Sequence, residues 1–275
     1  MTLTLTSTRT LSNGTELPVF GLGVWQARDG AETERAVAWA LEAGYRLIDT
    51  AQAYQNETSV GKAIRESGVP REEIFLTTKF YPGGKDARVE AEKSLERLGT
   101  DYLDLYLIHW PQGGPTWAWP AMEAAVDARL TKGIGISNFS ATELAELGKI
   151  ARIQPVANQV QFSPFEYRAG LVDACEAAGV VVQAYSPLGT GKHLDDPEVT
   201  RIAEATGHTP AQVLIRWGLQ KGLSVIPKSV HQDRIVANAG VFDFELDDAA
   251  MAALDGLDTT GRTDEALSQS GKWWS

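Results

Sequence analysis

Apolar residues along the chain gather into eight short runs, and between the runs the spacing changes to one apolar position every three or four residues. The runs occupy residues 19–25, 45–51, 74–80 and 102–109, then 132–139, 155–162, 180–187 and 223–229. Several are apolar at both parities, as in Tyr102-Leu103-Asp104-Leu105-Tyr106-Leu107-Ile108. That pattern belongs to strands of a parallel sheet covered by helices, where neither face meets water. Helical periodicity predicts helices over 31–43, 56–67, 87–98, 121–130, 140–150, 169–178, 210–221 and 231–241. Start signals stand at Asn56 before Glu57 and at Ser140 with Glu143 in capping-box spacing, and Gly44, Gly68, Gly99 and Gly179 stand where helices end. Eight strands each followed by a helix predict an α/β fold of the closed (β/α)8 TIM-barrel kind rather than an open doubly wound sheet. Ahead of the repeat, alternation of Thr and Leu over 2–6, then Asn13-Gly14 and Glu16-Leu17-Pro18, predicts an N-terminal β-hairpin. Beyond residue 261 runs a polar C-terminal tail containing Trp273 and Trp274, a pair costly to hydrate, which either lids a pocket or packs on the barrel wall. No linker or composition shift divides the chain, so residues 1–275 are expected to form one domain.

Composition narrows the function classes. Lys plus Arg number 25 against 36 Asp plus Glu, a net charge of −11, and 43% of residues are apolar. Such a surplus of negative charge argues against nucleic acid and against anionic membrane surfaces. The one cysteine, Cys175, lies in an Ala-rich helical segment and reads as a small buried filler, with no disulfide framework. No apolar run approaches eighteen residues and no basic, apolar leader opens the chain, so a cytoplasmic protein is expected.

Several binding motifs fail on inspection. Gly21-Leu22-Gly23 is followed by Gln26, and Gly133-Ile134-Gly135 by Asn138, where a dinucleotide fingerprint needs its third glycine. Gly189-Thr190-Gly191-Lys192 lacks the leading glycine and the trailing Ser/Thr of a phosphate loop. No nucleophile elbow occurs, and the four histidines never stand at i, i+4, so no metal site is expected.

A barrel of this kind builds its site at the C-terminal ends of its strands. There the chain places Asp49 with Tyr54 just beyond it, Lys79, and His109, from three consecutive strands. Singly, each has a structural reading: a cap, a core edge, a snorkelling lysine, a satisfied imidazole. Together they form a proton-transfer set. An ammonium beside a phenol favours the phenolate and brings the phenol toward neutrality, a carboxylate holds the ammonium, and an imidazole hydrogen-bonds a substrate oxygen. Trp25, Phe80, Trp110 and Trp117 follow or end strands and are expected around the mouth as substrate-binding aromatics, whereas Trp39 and Trp217 lie within helical patterns and read as structural.

The stretches Gly44-Tyr45-Arg46-Leu47-Ile48-Asp49-Thr50-Ala51 with Tyr54-Gln55-Asn56-Glu57, Asp104 to Pro111, Gly135-Ile136-Ser137-Asn138-Phe139 and Ile226-Pro227-Lys228-Ser229 resemble the motifs of the aldo-keto reductase family in the family's order. The likeness runs from about residue 19 to 242 and is nearest the bacterial 2,5-diketo-D-gluconate reductase-like members. It implies a catalytic tetrad of Asp49, Tyr54, Lys79 and His109, with Tyr54 as general acid, and NADPH/NADP+ as cofactor. It further implies a nicotinamide stacked on Tyr185 near Trp25, its carboxamide held by Ser137, Asn138 and Gln159. Ser186, Leu188 and Gly189 would line the pyrophosphate; Lys228, Ser229, Val230 and Arg234 would hold the 2′-phosphate, and Asn238 the adenine. This sequence departs from the family at His231, where relatives often carry arginine, at Ala237, and at Ser163, where many carry histidine before Pro164. The first two bear on the margin of NADPH over NADH.

The resulting expectation is a monomeric NADPH-dependent enzyme that reduces small aldehydes, ketones or keto-sugars to alcohols. A cofactor-binding regulatory subunit with little turnover is the alternative. A cofactor-free barrel hydrolase or lyase would need paired carboxylates or a metal cluster at the strand ends, and the sequence lacks them.

Overall fold

The computed structural model describes residues 3–83, 85–111 and 117–266. The N-terminal hairpin pairs β1 (Thr8–Thr10) with β2 (Glu16–Pro18), antiparallel. Its first arm is thus residues 8–10 and not the Thr/Leu alternation at 2–6. The turn closes through the Leu11 amide on the Thr15 carbonyl and needs Gly14 at φ +82°, a conformation costly for any side chain.

Eight parallel strands follow: β3 (Leu22–Gly23), β4 (Leu47–Asp49), β5 (Phe75–Phe80), β6 (Leu103–Ile108), β7 (Thr131–Ser137), β8 (Ala157–Gln161), β9 (Val181–Tyr185) and β10 (Ser224–Ile226). Each pairs with the next, and bridges Phe20–Val225 and Gly23–Lys228 bring the first strand against the last. The outcome is the expected (β/α)8 barrel. Its helices are α1 (Ala31–Glu42), α2 (Glu57–Glu66), α3 (Ala87–Leu98), α4 (Trp119–Asp127), α5 (Ala141–Gly148), α6 (Ala169–Ala177), α7 (Pro197–Thr206), α8 (Pro210–Gln220), α9 (Gln232–Ala239) and α10 (Asp248–Asp255).

Two of these helices, α7 and α10, were not expected from the pattern. α7 buries Val199, Ile202 and Ala203 at helical spacing, a stripe legible in the sequence although not counted among the expected helices, whereas α10 buries only Leu254. Their starts are set by Asp196 and Asp247, whose carboxylates accept backbone N–H groups. The Ser140–Glu143 capping box forms as expected. Asn56, by contrast, does not cap α2. Its side chain is buried, accepts from the Thr50 hydroxyl and donates to the carbonyls of Val24 and Ala27, tying two site loops together.

Alternation along each strand sorts the core into two layers. Inward residues Leu47, Phe75, Leu105, Leu107 and Ala157 fill the barrel, with Leu17 of the hairpin plugging its lower end. Outward residues such as Ile48, Leu76, Phe80 and Tyr106 pack under the helices. Cys175 is fully buried, and Trp217 is buried with its indole N–H on Asp255, both in structural roles. Among the described residues no helix is long and apolar enough to cross a membrane.

Candidate active site

Asp49, Lys79 and His109 occupy inward positions at the upper ends of β4, β5 and β6 or just past them, and Tyr54 sits on a single 3-10 turn (Gln52–Tyr54) beyond β4. The Lys79 ammonium has no exposed surface. It lies 2.5 Å from Asp49 Oδ1, donates to the Thr50 carbonyl at 2.8 Å, and reaches Tyr54 Oη at 3.3 Å. Because Tyr54 Oη accepts from Lys79, the phenol's own proton stays free for another acceptor. The His109 ring stands edge-on to Tyr54 with centroids 5.5 Å apart. The four side chains that the sequence placed separately on three strand ends therefore form one contiguous group.

Electrostatics in this group are governed by burial. Burial pushes the Asp49 carboxyl up and the Lys79 ammonium down, each opposed by the other's charge and, at Asp49, by a hydrogen bond from Gln159. Burial also pushes Tyr54 well above the ordinary phenol value, reinforced by the charge of Asp49 and by Tyr185. That reverses the expected effect of the lysine, whose charge is taken up by the carboxylate 2.5 Å away. Tyr54 is therefore held protonated. His109 is driven well below the usual imidazole range, by burial and then by Lys79, and is neutral. Its Nδ1 has no hydrogen-bond partner among the described residues.

These groups open into a cleft with about 780 Å³ of empty space at the C-terminal face. Asp49, Tyr54, His109 and Trp110 line its inner wall, and Ser137, Asn138, Gln159 and Tyr185 form the adjoining floor. Trp25, Ser186 and Lys228 stand at the rim. Asn138, with φ at +63°, donates to Ser137 Oγ and to the His109 carbonyl, and its Oδ1 accepts from the Tyr185 hydroxyl at 2.9 Å. Gln159 donates to Asp49 Oδ2 at 2.7 Å and to Gln183 Oε1 at 2.6 Å, which leaves its carbonyl oxygen available. A flat ring beside amide and hydroxyl groups suits a planar aromatic ligand carrying a carboxamide.

The remaining expected cofactor residues lie further along the rim, outside the cleft itself. Leu188 packs on the core, and Gly189 adopts φ +55° with its Cβ position only 2.6 Å from the His193 ring, which itself stacks on Phe165 at 3.8 Å. Ser229 Oγ accepts the His231 amide, Val230 is half-buried, and Arg234 and Asn238 belong to α9. Lys228 and Arg234 form no ion pair with a carboxylate among the described residues. The first residue of α9 follows His231, whose side chain makes no cap hydrogen bond. One cation before an uncapped helix start and one in its first turn, neither in an ion pair among the described residues, fit a phosphate group.

Of the four aromatics expected around the mouth, Trp25 and Trp110 line the cleft, whereas Phe80 and Trp117 are not among its lining residues. Phe80 follows the inward Lys79, so strand alternation turns it outward, and it is fully buried with its ring 6.0 Å from Trp117. Tyr81, one residue on, is the aromatic that approaches the site, its ring perpendicular to His109 at 6.2 Å. Counting parity from Lys79 would have found it. Gly23, Gln161, Thr190 and Ile226 also line the cleft and were not anticipated. Trp273 and Trp274 lie outside the described residues. Among the described residues no cluster of three or more His, Cys, Asp or Glu could hold a metal.

Comparison with known proteins places this geometry. The sequence model of the Aldo/keto reductase family matches residues 19–259. An aldo-keto reductase of Mycobacterium sp. (strain MCS) is 47% identical over 254 residues, covering 90% of this chain and 89% of that protein. The glyoxal reductase of Bacillus subtilis (strain 168) is 45% identical over 267 residues, covering 95% and 96%. Among solved structures, an aldo/keto reductase from Brucella melitensis superposes with a TM-score of 0.89 at 39% identity, over 94% of this chain and all of that one.

Proposed function

Because this chain belongs to the aldo/keto reductase family of oxidoreductases, we propose that it reduces carbonyl groups of small aldehydes, ketones or keto-sugars to alcohols, with NADPH as hydride source and Tyr54 as general acid. The observation that carries the reading is the buried Asp49–Lys79 pair with Lys79 3.3 Å from Tyr54 Oη, beside a neutral His109 in an open cleft.

When bound, the reduced nicotinamide supplies a hydride, and every other task falls to the protein. Tyr185, Asn138 and Gln159 orient the ring and its carboxamide. His109, neutral, donates a hydrogen bond to the substrate carbonyl and fixes its oxygen near Tyr54. The Tyr54 proton passes to that oxygen as negative charge develops on it, and Lys79 stabilises the phenolate left behind. Asp49 keeps Lys79 charged and in place. Trp25, Trp110 and Tyr81 exclude water around the reacting carbon.

The test is to follow NADPH absorbance with a panel of aldehydes, diketones and keto-acids. Turnover in several of these supports the reading; tight NADPH binding without turnover would favour the regulatory alternative. The pH profile adds a second check. His109 is shifted downward from 6.5 and Tyr54 upward from 10.0, so neither changes charge between those values. With the Asp49–Lys79 pair keeping its charges, reductive kcat is expected to be flat from about pH 6.5 to about pH 9. A bell centred near neutrality would contradict the assigned protonation states.

The net charge of −11 opposes a polyanionic cofactor, so affinity must come from local cations. Replacing Lys228 and Arg234 together by alanine is expected to weaken NADPH about tenfold or more, given the strength of charge-assisted hydrogen bonds to phosphate, and to weaken NADH by less than about threefold. Fluorescence titration measures both, and equal losses for the two cofactors would remove the phosphate assignment. Added salt should act in the same sense, weakening NADPH more than NADH.

A further inference from the structure

Gln159 meets Asp49 as the last member of a hydrogen-bonded row. It lies in register with Gln183 on β9, which lies in register with Ser224 on β10, and the side chains of these three neighbouring strands form a hydrogen-bonded row inside the barrel. The Ser224 hydroxyl donates to the Pro18 carbonyl at 2.9 Å. Gln183 Nε2 donates to Ser224 Oγ at 3.2 Å, Gln159 Nε2 donates to Gln183 Oε1, and the same Nε2 donates to Asp49 Oδ2. Gln183 and Ser224 have no exposed surface and Gln159 has 2%.

The row has a direction, set at both ends by groups that only accept: the Pro18 carbonyl at one and the Asp49 carboxylate at the other. A carbonyl only accepts, so the serine must donate to it and can then accept only through its oxygen. Gln183 must therefore turn its NH2 to the serine and its carbonyl to Gln159. Gln159 must in turn answer with its own NH2, whose second proton faces the carboxylate. If Gln183 were reversed, its NH2 would meet that of Gln159. Gln159 would then have to turn its carbonyl oxygen to one of its neighbours, and turned to Asp49 that oxygen would face a carboxylate with no proton between them. Amide groups have no intrinsic preference between the two orientations; in a buried site their neighbours decide it.

We propose that Gln183 and Ser224 are positioning residues for the Asp49–Lys79 pair, acting by fixing the amide orientation of Gln159 from the far side of the barrel. Neither touches the cleft, for neither is among its lining residues. The inference rests on the carbonyl-reductase reading for its effect on rate. Its effect on Asp49 is independent of that reading.

The experiment uses the whole protein with Gln183→Met, Ser224→Ala and Ser224→Thr, the last keeping the hydroxyl. With NADPH and a carbonyl substrate, Gln183→Met and Ser224→Ala are expected to lower kcat about tenfold, the weight of one hydrogen bond to a charged group, with the substrate KM within about twofold. Ser224→Thr should restore kcat. In the ligand-free protein, 13C NMR of the Asp49 carboxyl reports the same change without turnover. Loosening the Gln159 donor disfavours the charged carboxylate, so Asp49 should titrate at higher pH in the first two variants. The other titratable groups facing it are Lys79 from β5, Tyr54 beyond β4, His109 past β6 and Tyr185 from β9, with Lys228 at the rim, and none of these is altered.

A fall in Tm with kcat and the Asp49 titration both unchanged would overturn the proposal and leave the row a purely structural feature. Should Gln183→Met fail to fold, Ser224→Ala decides by the same two readouts. If wild type shows no turnover, the reductase reading fails, and the Asp49 titration alone still supports or sinks the row.

Discussion

Tyr54→Phe is expected to lower kcat for carbonyl reduction about a thousandfold, roughly 4 kcal/mol of transition-state stabilisation, with NADPH affinity and thermal stability close to wild type. The substitution removes one oxygen and keeps the ring in its edge-on contact with His109. Lys79 loses one of its three acceptors but retains Asp49 Oδ1 and the Thr50 carbonyl, and because Tyr54 lines the cleft, water can take the third bond. The loss should therefore appear as a rate defect and not as a folding defect. Steady-state absorbance, a fluorescence titration with NADPH and a melting curve together separate the two. Activity within tenfold of wild type would remove Tyr54 from the role of acid, since water does not readily replace a positioned phenol held beside an ammonium.

Lys79→Met should be damaging in two ways at once. It leaves Asp49, 2% exposed, without its cation at the inner end of the cleft. Removing one partner of a buried pair generally costs about 3–5 kcal/mol, which for a chain of this length corresponds to a fall in Tm of about 10 °C. Turnover should fall at least about a hundredfold, because the Tyr54 phenolate formed on proton transfer loses the ammonium that stabilises it. Asp49 escapes part of the penalty by taking up a proton, so the destabilisation should shrink as pH falls toward its raised pKa. Melting curves at several pH values, run beside Tyr54→Phe, would show a stability loss in the lysine variant alone. Equal Tm values for the two variants would mean that the pair does not carry the buried charge assigned to it.

The position of the site was legible because its residues violate their surroundings. Asp49, Lys79 and His109 stand at or next to the end of an apolar run, on strands whose inward parity is marked by Leu47, Phe75 and Leu107. Phe80 reads as facing the mouth because it ends an apolar run, although its parity, opposite to that of Lys79, turns it outward and brings Tyr81 toward the site instead. Asn56 read as a helix cap, since local spacing cannot distinguish a cap from a side chain drawn inward by three partners up to 32 residues away.

What the linear sequence determined, then, was the alternation of strands and helices, the barrel that follows from it, and the polar residues at the strand ends. These depend on periodicities of two and about 3.6, which are properties of neighbouring positions. What only the tertiary structure decided were the relations between strands. The row from Pro18 through Ser224, Gln183 and Gln159 to Asp49 joins residues separated by 206, 41, 24 and 110 positions, and no local pattern encodes it. The direction of the Tyr54 shift was decided there too, because burial and the distance from Lys79 to Asp49 exist only once the barrel has closed.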